Sequence, residues 1–441
     1  MTNPQDRRTF LRLAAAAAGA LTTAPVLGRE SNDKVVVGLI GCGNRGAHPQ
    51  VGLAPVIARS KNAQLAWVCD PVKSRRDSAA GNFGIDSRRA VSDLRRILDD
   101  KSVNAVFIAT PDHWHCPAAI LACEAGKHVY LEKPMSHNVR EGRLLVEAAD
   151  RNKVLLQVGM QARSTGMFIE AVKLLRDGAI GDVLSAKCWN IQRRPSIGRA
   201  QPEAPPAELD YETWIGPTPM VPYQANRVLE NKWWSRWHSF GTGDMGNDGI
   251  HELDQARWGL GAETHPTRIV AMGTNSFFDD DGEFPDTQQV VFEYPGAGAG
   301  HGRTLVYEQR MWSTNYPYNV DSGVEFYGTE GQLFVSRRGK LQLRGKDNKV
   351  VEVSIRPEPS NAAAHAFGFL DAVATDDRSK LTTHALMGHL STSLTHLGNI
   401  AARVGRALTF DPTKEQIVGD EEANGLLRRT YRDHWATPAN V

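Results

Sequence analysis

Two stretches of this sequence carry residues that could move a proton beside an oxygen. In the first, the apolar run 128–131 ends in Glu132-Lys133-Pro134. A lysine at a strand end can hold a hydroxyl oxygen, steer its proton and stabilise developing alkoxide charge. Its plainer use is an ion pair with Glu132 or another acid. In the second, between Gly241 and Trp258, Asn247, His251 and Asp254 fall at spacings of four and three and can share one helix face. His251 is a natural acid–base group because an unperturbed imidazole titrates near neutrality. The alternative for His251 is a buried, satisfied histidine.

Other chemistry-bearing residues cluster near these two. The run 104–109 leads into Thr110-Pro111-Asp112-His113-Trp114-His115. Ligands of open α/β sheets sit outside the carboxyl ends of the strands, so this loop and Glu132–Lys133 should border a bound cofactor. His113 and His115 invite a metal reading, but no acidic or cysteine partners complete a set, and no metal is expected. Trp233, Trp234, Trp237 and His238 gather aromatic surface, suited either to a core or interface or to stacking under a sugar ring.

The element that must position all of these opens the chain's ordered part. Val35–Ile40 is a β-branched apolar run that reads as a buried parallel strand. It ends in Gly41-x-Gly43-x-x-Gly46, the spacing that turns a strand into a helix against a pyrophosphate, with Asn44 and Arg45 in the same turn. The following helix would aim its free N–H groups at the anion. A second apolar run, 65–69, ends in Asp70, placed to meet the adenosine ribose hydroxyls of NAD. Lys73, Arg75 and Arg76 lie close enough to accept a 2′-phosphate, so NADP stays open.

From Lys34 the pattern alternates strand and helix. Strands are expected at 35–40, 64–69, 88–91, 104–109, 128–131 and 154–159. Helices are expected at Asp93–Asp99, Pro117–Ala125 and Val139–Asn152, the last capped by Asn138 with Glu141 three residues on. Alternation of this kind implies a doubly wound parallel sheet. Pro55 should kink or shorten the first helix. After Gly159 a helix at Met167–Asp177 and a strand at Val183–Arg193 precede a Pro-rich arm, 195–222. Strand-like runs at 268–274, 287–294, 303–312, 322–328, 331–336, 341–344 and 350–355, several joined by turns, imply an antiparallel sheet. Helices at 362–376 and 383–405 and a polar tail follow. The expected organisation is a dinucleotide-binding domain over 34–159 and an α+β domain for substrate and assembly over 160–436.

At 441 residues the chain is too long for one ordinary core, and a net charge of +1 gives no basic patch for nucleic acid. The five cysteines (Cys42, Cys69, Cys116, Cys123, Cys188) lack disulfide or zinc-site spacing and read as small buried apolar residues. Asp6-Arg7-Arg8-Thr9-Phe10-Leu11-Arg12 before an Ala-rich run looks like a twin-arginine export signal, with cleavage near Ala24 or Gly28. The run is too short for a stable membrane span. Residues 1–28 are therefore expected to be removed, giving an exported, periplasmic protein.

With these residues assembled, the chain resembles the Gfo/Idh/MocA family, the glucose–fructose oxidoreductase and inositol dehydrogenase group. The resemblance rests on Gly41/Gly43/Gly46, Asp70, the Thr110–His115 loop, Glu132-Lys133-Pro134 and the His251 segment. The stretch from Gly388 to Arg403 also resembles exported bacterial members. It implies a Rossmann domain joined to a domain with an open antiparallel sheet that often makes oligomer contacts. It also implies NAD(P)-dependent oxidation or reduction of a sugar or cyclitol hydroxyl, with Lys133 and His251 at the family's catalytic positions. The family's aspartate four residues before the histidine is Asn247 here, which leaves Asp248 or Asp254 to take its part. Thr110, Pro111, His113, His115 and Glu132 are expected at the cofactor, and Asn247, Trp237 and Arg163 at the substrate. The resemblance also keeps open a glycosidase working through transient oxidation with retained NAD; a non-catalytic carbohydrate binder and a metal-dependent hydrolase built on His113 and His115 are the other rivals.

Overall fold

β1 (Val35–Ile40) is the centre strand of the first sheet because almost every side chain on it is apolar and buried on both faces. The computed structural model describes residues 34–228, 233–296 and 302–441, and Val35–Val441 forms one compact unit. The expected export signal lies outside the described residues.

After β1 come α1 (Asn44–Ala47), α2 (Leu53–Arg59), β2 (Ala63–Cys69), α3 (Lys73–Phe83), β3 (Ala90–Val91), α4 (Arg95–Leu98), β4 (Ala105–Ile108), α5 (Asp112–Glu124), β5 (His128–Leu131), α6 (Val139–Arg151) and β6 (Leu156–Val158). The six strands form a parallel sheet in the order β3-β2-β1-β4-β5-β6. That order reverses at β1/β4, and the crevice outside the strand ends at this point is where such sheets take ligands. Asn138 caps α6 by accepting from the Glu141 N–H, as expected.

Three local expectations are corrected. The first helix is split in two, and Pro55 sits in the opening turn of α2, where a missing N–H costs little. The helix expected from Pro117 already begins at Asp112, so His113 and His115 lie in its first turns rather than in a loop. The expected strand at 88–91 shortens to β3, after a short 3-10 turn at Ser87–Arg89.

The rest of the chain builds α7 (Gly166–Arg176), β7 (Val183–Asn190), α8 (Ile250–Gly259), β8 (Arg268–Thr274), β9 (Thr287–Tyr294), β10 (Arg303–Arg310), β11 (Ser322–Gly328), β12 (Gly331–Ser336), β13 (Lys340–Gly345) and β14 (Val350–Val351). It ends with α9 (Ala362–Thr375), α10 (Ala385–Val404), β15 (Leu408–Asp411), β16 (Gln416–Ile417) and α11 (Glu421–Gly425). Ten strands make the second sheet, in the order β14-β13-β12-β11-β7-β10-β9-β8-β15-β16. It is antiparallel except where β7 and β10 run parallel. One face of this sheet packs on α7, α8 and α10 through Phe168, Leu253, Phe292, Phe326 and Leu394. The alternating burial of β9 and β10 is what a sheet covered on one side requires.

The tail is not a free polar end. Its Arg429 pairs with Glu141 of α6, and Leu427 and Ala436 are buried.

Candidate active site

Gly41 ends β1 at φ +94°, a left-handed conformation open to glycine, and its N–H donates to the Cys69 carbonyl at 2.8 Å. A Cβ on Gly41 would lie 2.5 Å from the Ala109 carbonyl oxygen, and one on Gly46 only 1.8 Å from that of Gly41. Gly43 differs. A Cβ there would meet nothing nearer than Arg75 Nη1 at 3.9 Å, so its missing side chain leaves space in the cleft itself. Since α1 spans only four residues, the anion site belongs to the turn's backbone more than to a helix dipole.

Asp70 is 4 % exposed and sits at the end of β2. One carboxylate oxygen accepts the Cys42 N–H and the other the Val72 N–H, both at 2.8 Å. Burial pushes its carboxyl up, and Arg75, Val72, Cys42 and Arg76 pull it back. The cleft above is about 690 Å³ and runs from Asp70 and Arg75 across the glycine turn to Lys133 and His251. Thr110 lines it with a buried hydroxyl that has no partner among the described residues. An elongated cleft, a glycine opening without a Cβ, a ribose-sized carboxylate and an orphaned hydroxyl fit a dinucleotide.

At the far end the chemistry is concentrated. Glu132 is buried and bonded by Arg45 at 2.6 Å; burial would raise its carboxyl, but Arg45 and Lys133 hold it below the usual range. The Lys133 ammonium donates to the Asn247 carbonyl, and the peptide between Lys133 and Pro134 is cis. Asn247 belongs to a π-helical turn, Met245–Gly249, that leads into α8, and its amide donates to Asp244 at 3.2 Å. Such turns recur where a helix must present an extra residue to a site. His251 stands in the first turn of α8 and lines the cleft. Burial, Arg337 and Lys133 hold its imidazole neutral, well below its ordinary range. Asp248 is clamped by Arg194 and by Arg337 at 3.1 Å; burial would raise it, but the two guanidinium groups hold it firmly ionised.

Gly41, Gly43, Asn44, Arg45, Asp70, Thr110, Pro111, His115, Glu132, Lys133, Asn247, Asp248 and His251 all line this cleft. Five expected residues do not: Gly46, tucked against the Gly41 carbonyl, is one, and four others lie farther off. Asp254 lies one turn deeper in α8, where it accepts from Arg163 at 2.9 Å and from Ser391 at 2.6 Å. Both partners of that ion pair are almost fully buried, so Arg163 and Asp254 join elements rather than hold substrate. Trp237 packs into a core with Ile215 and Phe240, beneath Arg227 at 4.0 Å. His113 is fully buried between Trp214 and Phe240, with Nε2 2.9 Å from the Trp214 carbonyl oxygen; burial lowers its pKa to about 3. His115 faces the Pro134 and Thr110 carbonyls with its two ring nitrogens, so the pair is spent on the backbone. Lys73, named for a 2′-phosphate, is exposed and pairs with Asp77. The five cysteines are free and buried.

The arrangement agrees with comparison to known proteins. Residues 35–160 match the profile described as "Oxidoreductase family, NAD-binding Rossmann fold", and residues 189–437 match "Oxidoreductase family, C-terminal alpha/beta domain" of the same family. The chain belongs to the Gfo/Idh/MocA oxidoreductase family. One relative, the scyllo-inositol 2-dehydrogenase (NAD(+)) of Bacillus subtilis, is 26 % identical over 276 residues, covering 62 % of this chain and 66 % of its own. That alignment spans just under two thirds of the relative. The scyllo-inositol 2-dehydrogenase (NADP(+)) of the same organism is 29 % identical over 89 % of this chain and 92 % of its own. The fold is shared with the aldose–aldose oxidoreductase of Caulobacter crescentus, solved with glycerol: TM-score 0.64, 19 % identity, 86 % of this chain and all of that one.

Around this Gfo/Idh/MocA site stand residues that pattern did not single out. Arg194 and Arg337 hold Asp248 from strands or loops far away in sequence. Trp214 walls the cleft with Trp234, which the aromatic run already marks. Trp435, from the tail, lines the cleft together with Ser92 and Leu94, stacked on Arg95 at 4.2 Å and tilted against Trp114 at 5.8 Å. The aromatic count around residues 233–238 was a fair signal for Trp234; nothing local marks Trp435.

Proposed function

We propose that this protein is a nicotinamide-dependent dehydrogenase that works on a ring hydroxyl of a sugar or cyclitol. One observation carries the reading: the Lys133 ammonium and the neutral His251 ring line the same cleft as the glycine turn and Asp70. When bound, NAD(P) supplies the hydride acceptor or donor. Asp70 would accept from the ribose hydroxyls, which favours NAD, while Arg75 beside it would take a 2′-phosphate. A substrate hydroxyl in the cleft gives its proton to a ring nitrogen of His251. The positive charge of the Lys133 ammonium stabilises the oxygen as charge develops on it. Asp248 keeps the π turn fixed by remaining paired with Arg194 and Arg337. The names of the two Bacillus subtilis relatives support a cyclitol, and that of the Caulobacter crescentus enzyme an aldose.

Two further parts of the reading rest on sequence and surface. The twin-arginine run at Arg7–Arg8 supports export with cofactor bound, into the periplasm. Exposed Val270, Met272 and Leu184 on strands of the large sheet support self-association through its outer face. No described helix is long and apolar enough to cross a membrane.

The test is direct. The purified protein is denatured and any released nucleotide identified by mass; inositols and aldoses are then assayed for formation of reduced nicotinamide. A nucleotide with a cyclitol or aldose that reduces it supports the reading. Free sugar released from glycosides without net reduction would replace it with the glycosidase alternative. Sugar binding with neither product would leave a non-catalytic binder.

A further inference from the structure

A second cavity, of about 420 Å³, lies where α6 begins, α10 passes and the tail folds back. None of the described residues lining it carries a carboxylate, although its walls hold three arginines and three histidines. Arg403 and Arg428 are exposed at this cavity, and neither side chain makes an ion pair or hydrogen bond among the described residues. Arg429 is different, since it already pairs with Glu141 at 2.7 Å. Asn138 is 4 % exposed, and while its oxygen caps α6, its amide Nδ2 is buried without a partner. A buried donor left without a partner is costly, so a partner that accepts hydrogen bonds is favoured there.

The histidines have the matching character. His137, His238 and His396 line the cavity, and burial lowers all three, with arginines pressing on His137 and His238. Neither ring nitrogen of His137 makes a hydrogen bond of ordinary geometry, though the ring lies against the backbone of His238. A neutral ring carries a single N–H, and His396 Nε2 already lies 3.2 Å from the Ser136 hydroxyl, so these rings add polar wall without adding charge of either sign. Two unpaired guanidinium groups, an orphaned amide and neutral imidazoles, with no acid among them, form a site for a multiply charged oxyanion.

We propose that this cavity binds a phosphate group, free or carried on a small organic body, separately from the dinucleotide cleft. Guanidinium groups match phosphate oxygens in pairs, and the cavity is larger than phosphate alone needs. The site shares no lining residue with the cofactor cleft, so the proposal does not rest on the dehydrogenase reading.

The experiment uses the full chain, saturated with NADH and in a buffer free of other oxyanions, titrated with inorganic phosphate by calorimetry. Saturable binding is expected in the wild type, weakened at least about tenfold in the double variant Arg403→Ala, Arg428→Ala. Both side chains are exposed and unpaired, so the variant should fold, which its melting temperature checks. Asn138→Asp keeps the cap oxygen on α6 but removes the donor, and should weaken phosphate to a similar degree. NADH affinity, by fluorescence, should not change in either variant. A hexose phosphate that binds tighter than inorganic phosphate identifies an organic ligand; equal affinity identifies the free ion. Absence of saturable phosphate binding, or equal affinity in wild type and double variant, overturns the proposal.

Discussion

Lys133, at the end of β5, donates its ammonium proton to the backbone carbonyl of Asn247, in the π turn before α8. One contact thus joins the nucleotide-binding sheet to the helix that carries His251. It fixes the ammonium's direction without consuming its charge. Replacing Lys133 by Ala should lower kcat by about 10²–10³-fold, the loss typical of one donor at a developing oxyanion. NADH affinity should stay within about threefold of wild type, since the glycine turn and Asp70 are untouched. Stopped-flow turnover with a fluorescence titration of NADH measures both. Turnover near the wild-type rate would remove Lys133 from the chemistry.

Gly43 and Gly46 separate ligand from fold. A methyl group on Gly43 points into open cleft, whereas one on Gly46 runs into the Gly41 carbonyl oxygen 1.8 Å away. Gly43→Ala should therefore melt like wild type yet bind NADH at least about tenfold more weakly. Gly46→Ala should lose about 1–3 kcal/mol of stability by overpacking. Thermal denaturation and NADH titration of the two variants decide the matter. A Gly43→Ala protein with normal NADH affinity would mean that the phosphates lie elsewhere.

The two variants also show what could be read before the fold was known. Gly41–Gly46, Asp70 and Lys133 were legible because each lies at the end of a short apolar run, and strand ends share one edge of a parallel sheet. Asp254 misled because spacing puts it on the face of His251, but only the first turn of α8 reaches the cleft. A buried ion pair such as Arg163–Asp254 has the composition of a functional site, and sequence spacing alone does not separate them. The order of the ten-stranded sheet was not legible either, since β7 finds its parallel neighbour β10 more than a hundred residues later. Long-range pairing of that kind leaves no local pattern.

Trp435 is the extreme case of that distance. It comes from the last residues of the chain yet lines the cleft beside Leu94, where the adenine of a dinucleotide held by Asp70 would lie. A flat apolar ring on a guanidinium is a stacking platform for a base, worth about 1–3 kcal/mol. Trp435→Ala should raise the dissociation constant of NADH about tenfold and leave kcat at saturating cofactor unchanged. Equal NADH affinity in the two proteins would reduce Trp435 to a packing residue. The predicted split between affinity and kcat is the opposite of that for Lys133→Ala, so the two variants report the two ends of one cleft.

Acid should damage this protein through its histidines before it silences the proposed base. Burial lowers the folded-state pKa of His113 and His396 to about 3 and of His365 to about 4, against an ordinary value of 6.5. Between about pH 6.5 and 4 the unfolded chain then binds more protons than the folded one, so stability rises with pH and is lost as pH falls. Each such histidine contributes about 1.4 kcal/mol per pH unit across its window. His396→Gln should make the fall in melting temperature between pH 6.5 and 4 shallower. His251 is held neutral well below its ordinary range, so kcat/KM should show no acidic limb near 6.5 while the protein stays folded. A limb near 6.5 in folded enzyme would mean that the proton acceptor titrates as a solvated imidazole and not as the buried His251 of this structure.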